Sequence, residues 1–205
     1  MNQINVQIIK ERCKPSSTHV VIYVVGGILS GIIGYLVGSI VGSIVCFIVM
    51  FGVLAFLEQK FIANRLNVSS KVMFICIGLN NLPDSSERLA NRALVAYTES
   101  RQTIHYIWQA HHLPLSKNFI KVLDGMCNDF LSLIAMASRK RELLNEFAAL
   151  FDQITNIFEE LKRLCYELKE AKDRGVQTDD IEKKISDKII ELSQMINKSK
   201  ASMMR

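Results

Sequence analysis

Between Val20 and Leu57 the sequence has no Asp, Glu, Lys, Arg, His, Asn, Gln or Pro. A run this apolar excludes an ordinary solvated segment. It is also too long for a secretory signal, whose apolar core is about 7–15 residues, and no persuasive cleavage site follows it. One straight helix over the run would be about 57 Å long at ~1.5 Å per residue. The hydrocarbon core of a bilayer is about 30 Å thick, and tilt does not absorb that excess. Two spans of ~18 residues each, joined by a tight turn, do fit. The expectation is an integral membrane protein with a two-span helical hairpin over 20–57.

Other absences narrow the chemistry. The five cysteines, Cys13, Cys46, Cys76, Cys127 and Cys165, are odd in number and widely spaced. They make neither a disulfide framework nor a C-x-x-C zinc pair, and they suit a reducing compartment as small apolar residues. No phosphate-binding G-x-x-x-x-G-K-[ST] loop, D-x-D pair or G-x-S-x-G elbow occurs. None of the cysteines has an arginine six residues on, the spacing at which a thiolate and a phosphate-binding loop cooperate. His105, His111 and His112 cluster on one stretch, but fixed metal geometry needs further ligands. No cofactor and no metal are therefore expected, and the catalytic residues, if any, are unassigned. The net charge of +5 includes no basic tract of the kind that binds nucleic acid, so no nucleic-acid partner is expected.

Basic residues flank the apolar run on both sides: Lys10, Arg12 and Lys14 before it, Lys60, Arg65 and Lys71 after it. Positive flanks favour the cytoplasm. Both termini are thus expected there, which requires an even number of crossings. The turn falls loosely within Gly34–Gly42. Seven of the ten glycines lie in the run, and Gly27, Gly31, Gly34, Gly38 and Gly42 repeat at three- and four-residue steps. On a helix this makes a smooth strip where a second backbone can approach closely, a glycine-zipper pattern. Two uses stay open for it: packing of the hairpin's own helices, and homo-oligomerisation.

After Leu57 the composition becomes mixed. The expected organisation is a cytoplasmic segment over 1–19, the hairpin over 20–57, a membrane-proximal connecting helix over 58–82 and a cytoplasmic helical bundle over 83–205. Strand signals are absent, so the fold class is all-α. Asp84 and Glu87 have capping-box spacing, and the helix they open runs to about His112. Pro114 interrupts it, Ser116 can cap the next helix, and Arg139-Lys140-Arg141 marks a break. Phe147, Phe151, Ile154, Phe158, Leu161, Cys165 and Leu168 then form one seam in alternating 4,3 steps. Leu150, Ile157 and Leu164 widen this coiled-coil-like seam into a stripe, which suits a helix with two neighbours in an antiparallel bundle. Gly175 reads as a helix stop, and Asp179 and Glu182 repeat the capping spacing.

The stretch Arg139-Lys140-Arg141-Glu142-Leu143-Leu144-Asn145-Glu146-Phe147, the Glu167-Leu168-Lys169-Glu170 segment and the Gly175–Glu182 join resemble the XpaC-like family. These are bacterial membrane proteins named for hydrolysis of a halogenated indolyl phosphate. The family tends to show Phe-Leu-Asn-Tyr-Tyr where this chain has Leu143-Leu144-Asn145-Glu146-Phe147. The resemblance implies a bacterial inner-membrane location and a phosphate-ester hydrolase, and it supplies no catalytic residues. The layout is also similar to secreted effectors of intracellular bacteria that place a bilobed hairpin in the host vacuole membrane. From the residues themselves, the expectation is a membrane-anchored interaction or scaffold module. Its partners are the lipid bilayer and proteins bound through helix faces.

Overall fold

The computed structural model describes residues 5–13, 17–37, 40–79, 82–111, 115–139 and 141–203. Among them are eight α-helices and no strand: α1 (Val6–Cys13), α2 (Ser17–Val37), α3 (Ile40–Arg65), α4 (Ser70–Gly78), α5 (Asp84–His111), α6 (Leu115–Ser138), α7 (Arg141–Asp173) and α8 (Asp179–Met203). The chain divides into two compact units. One is Lys10–Leu66; the other joins Met1–Ile9 to Asn67–Arg205.

In the smaller unit α2 packs against α3. α2 ends at Val37 and α3 begins at Ile40; positions 38 and 39, inside the range expected for the turn, lie outside the described residues. Among the described residues one helix, α3, is both long and apolar enough to cross a membrane; α2 contains a further apolar segment that includes Tyr23–Leu36. Of the two spans expected, one has the length and hydropathy of a membrane crossing among the described residues.

In the larger unit α5 packs against α6 and α7, α7 against α8, and α6 against α4, α7 and α8. Short connections make successive helices of such a bundle antiparallel. All seven seam residues of α7 are buried, with Phe151, Ile154, Phe158, Leu161 and Cys165 fully inaccessible. Phe130 of α6 sits between Phe151 and Phe158, with ring centroids 5.8 and 5.9 Å away. The Phe151 pair is edge-to-face, the arrangement aromatic quadrupoles favour.

The stretch 58–82 is not one connecting helix. Its first part continues α3 to Arg65, and its second part is α4. Between them Asn67 takes a left-handed backbone, φ 54°, which Asn tolerates better than most residues. Ser69 caps α4 by accepting from the Val72 amide. Val72, Met73 and Cys76 are then buried against α6, which explains why this short apolar run belongs to the bundle.

Two caps differ from expectation by one residue. Asp84 and Asp179 are the first helical residues, where a carboxylate favours the positive helix end; the Pro83 and Thr178 carbonyls accept from Glu87 and Glu182. Ser116 likewise lies inside α6, which begins at Leu115. Gly175 does terminate α7. Its φ is 67°, and the amides of Gly175 and Val176 donate to the carbonyls of Lys172 and Ala171, a Schellman motif.

α1 was not anticipated. Ile9 and Val6 are buried in the larger unit, and the Val6 amide donates to Asn91 Oδ1 of α5 at 2.9 Å.

Candidate functional site

At the glycine strip the backbones of α2 and α3 approach closely. A Cβ built on Gly34 would lie 2.7 Å from Ser43 Cα and 2.9 Å from the Gly42 carbonyl oxygen. One on Gly27 would overlap the Phe47 ring, and one on Gly31 would touch Ser43 Oγ at 3.4 Å. Ser43 also donates its hydroxyl to the Gly31 carbonyl at 2.6 Å. Gly27, Gly31 and Gly34 therefore serve the packing of α2 on α3. Gly42 takes part from the other side, and Gly38 lies outside the described residues. Gly52, off this strip, has open space around it.

The outer faces of the same two helices are apolar and uncovered. Val24, Ile28, Ile32 and Leu36 of α2 are exposed, as are Ile44, Ile48 and Phe56 of α3. The most apolar stretch of α3 has none of its residues buried. The core helix of a water-soluble protein would be covered. A water-soluble surface rarely tolerates an apolar patch beyond a few hundred Å².

The larger unit contains a polar node where Asn67 and Ser69 meet α5 and α6. Tyr97 donates its hydroxyl to Asp124 Oδ1 at 2.6 Å, and the Ser69 amide donates to the Tyr97 oxygen at 3.0 Å. Arg101 donates to Asp124 Oδ1 at 3.1 Å and to Asn67 Oδ1 at 2.8 Å; Asn67 donates to the Thr98 carbonyl at 2.7 Å. Burial first, and then the neighbouring Asp124 carboxylate, push the Tyr97 hydroxyl well above its ordinary range. It stays a proton donor. Burial likewise pushes the Cys127 thiol well up and that of Cys165 up to about 12, so neither is a thiolate nucleophile near neutrality.

The histidines that cluster in the sequence do not converge, and neither do the carboxylates Asp124 and Asp129 of α6. His105 contacts Gln109 on its own helix, His111 pairs with Asp173 at 3.0 Å, and His112 lies outside the described residues. Asp129 pairs with Lys200 at 2.7 Å, while Asp124 belongs to the node. Among the described residues no group of three or more His, Cys, Asp or Glu is placed to hold a metal ion. Surface ties join the helices instead. Arg92 of α5 forks onto Glu159 of α7 through two 3.0 Å hydrogen bonds and reaches Asp152 at 3.0 Å.

The bundle also carries an apolar groove of about 260 Å³ between α5, α6, α7 and α8. Ile104, Ile107, Phe119, Val122, Leu168 and Ile185 form most of its wall, and Asn118, Glu182 and Ser186 add polar atoms. Glu182 accepts from Lys172 at 2.9 Å and from the Thr178 hydroxyl at 2.8 Å. Burial raises its carboxyl, and these two bonds more than offset that, leaving it below its usual range. The groove was not legible beforehand: nothing in the spacing of Phe119 and Val122 says that the packing of four helices leaves a space beside them.

Comparisons with protein-family models, with curated proteins and with solved structures gave no match for this chain.

Proposed function

We propose that this protein is a membrane-anchored interaction module, with α2 and α3 as a two-span hairpin and the α4–α8 bundle as its partner-binding domain. The observation that carries the anchoring is the uncovered apolar surface of α2 and α3, beside a bundle whose core is closed. A bilayer is the solvent that covers such a surface without cost. The part of α2 without charged residues, from position 20 to its end, lies near the lower limit for a span, and a short span is accommodated by local thinning of the bilayer.

The basic flanks support a cytoplasmic side for both ends of the chain, by the positive-inside tendency. The packing of Val6 and Ile9 in the larger unit supports the same-side arrangement independently. A chain that leaves one compact unit and returns to it crosses the bilayer an even number of times.

The interaction reading rests on the groove. An apolar concavity with a few polar groups at its edge suits a large apolar anchor side chain from a protein partner. The titratable residues nearby serve helix-to-helix ties. The test uses the full-length protein purified in detergent and supplied with an indolyl or nitrophenyl phosphate. The account expects no turnover. It also expects specific co-purifying proteins that are lost on Val122→Glu, which charges the groove edge without touching a helix tie. Robust hydrolysis abolished by a change at His105, His111, Asp124 or Asp129, with the fold intact, would replace this reading by the phosphate-ester hydrolase that the XpaC-like resemblance implies.

A further inference from the structure

At one end of the smaller unit, two adjoining cavities open where the last turn of α1 meets α2 and α3. The larger, of about 330 Å³, is lined mainly by apolar groups, among them Tyr23, Val24, Phe51, Ala55 and Ile62. The second, of about 190 Å³, is lined by Arg12, Glu58, Phe61, Ile62, Arg65 and Leu66. They share Glu58 and Ile62. An apolar slot beside the hairpin thus runs into a recess edged by two exposed guanidinium groups, with Lys10 and Lys60 nearby in sequence.

We infer that these cavities hold one anionic phospholipid, its acyl chain along the Tyr23–Ile62 slot and its phosphodiester between Arg12 and Arg65. The inference rests on the membrane reading above. Three features select this ligand. The slot is continuous with the apolar surface a bilayer would cover, so a lipid chain needs no separate entry. Guanidinium groups present planar paired donors that match phosphate oxygens. The formal charge of the recess side chains is +1, from Arg12 and Arg65 against Glu58, which favours a headgroup with net negative charge over a zwitterionic one. Glu58 opposes the phosphate; burial, and after it the Glu58 charge, hold the Cys13 thiol above its usual range. Glu58 therefore sets how strongly anionic lipid is preferred.

The test is electron spin resonance on the full-length protein reconstituted in phosphatidylcholine vesicles carrying trace spin-labelled phosphatidylglycerol or phosphatidylcholine. At low salt the wild type should restrict the anionic label over the zwitterionic one by about fivefold, the scale of one or two basic groups at a membrane surface. Arg12→Gln with Arg65→Gln should bring the ratio to about one, while Arg12→Lys with Arg65→Lys keeps part of it. Glu58→Gln should raise the ratio, a gain that mere structural damage would not produce. Arg163→Gln, on the bundle surface, should change nothing. Restriction of both labels equally in the wild type would overturn the lipid site and leave the membrane reading intact. Restriction of neither would overturn both. Loss of the preference on adding millimolar inorganic phosphate would assign the recess to a free oxyanion and overturn the inference.

Discussion

The backbone amide of Val6 donates to Asn91 Oδ1 at 2.9 Å, across 85 positions of sequence. With Ile9 fully buried, this bond makes the first turn of α1 part of the same compact unit as the last helix. Ile9→Ala should cost about 2–4 kcal/mol of that docking, within the range for buried aliphatic truncations. Amide exchange should rise through residues 5–9 and at Asn91 while α7 remains protected. Unchanged protection of α1 would mean that its burial contributes nothing.

The α7 seam sets the stability of the bundle. Phe151→Ala and Phe158→Ala should each cost about 3–5 kcal/mol in chemical denaturation of the full chain, since each leaves a cavity beside Phe130. Glu146→Ala, exposed on the same helix, should stay within roughly ±0.5 kcal/mol. Glu159 looks equally off-seam by spacing, yet it is the acceptor of the Arg92 fork. It is therefore unsuitable as a silent control. Small, equal effects at 151 and 158 would contradict the packing.

The glycines of the hairpin should differ sharply. Gly34→Ala places a methyl against the Ser43 backbone, which cannot step aside, and should cost about 1–3 kcal/mol as an overpacked contact. Gly27→Ala meets only the Phe47 ring, which can turn, and should cost less. Gly52→Ala meets nothing within 4 Å and should be neutral or slightly stabilising. Thermal unfolding in detergent gives the ranking; equal effects at 34 and 52 would remove the case for close packing of α2 on α3.

Much of this was legible in the sequence because it rests on local rules. The seam from Phe147 to Leu168 shows its period directly, Gly175 marks its own stop, and the charge-free run announces itself. What was not legible depends on contacts between distant residues. Nothing in Val6–Cys13 says that it packs on α5. The break after Arg65 is signalled weakly, by Asn67 and by Ser69 as a cap, but the node that uses them needs Tyr97, Arg101 and Asp124 from two other helices. The groove exists only because α5, α6, α7 and α8 leave a space that no single stripe records. The caps at Asp84 and Asp179 moved by one residue because a carboxylate suits the first turn as well as the cap.

Two pH effects follow from the bundle's ties. The Glu182 carboxyl is held below its ordinary value, so its contribution is present above the unfolded value of about 4.3 and is lost as pH falls through the lower folded one. Glu182→Gln should flatten the acid limb of a stability–pH curve. Tyr97 and Cys165 are raised. Their contributions are present at neutral pH and decline above about 8.5 for the thiol and about 10 for the phenol, reaching full loss for Cys165 near 12. Tyr97→Phe should remove part of the alkaline loss and cost about 1–3 kcal/mol at neutral pH, because it leaves the Ser69 amide without its acceptor. An acid limb unchanged by Glu182→Gln would sever the link to the Lys172 pair.

The central claim is a hairpin anchor with both ends of the chain on one side of the membrane. Its most direct measurement places topology reporters at Gln3 and after Arg205 of the full-length protein in a bacterial inner membrane. Both reporters are expected to read cytoplasmic. Reporters that read opposite sides would contradict it, because a single crossing cannot coexist with Val6 packed on Asn91.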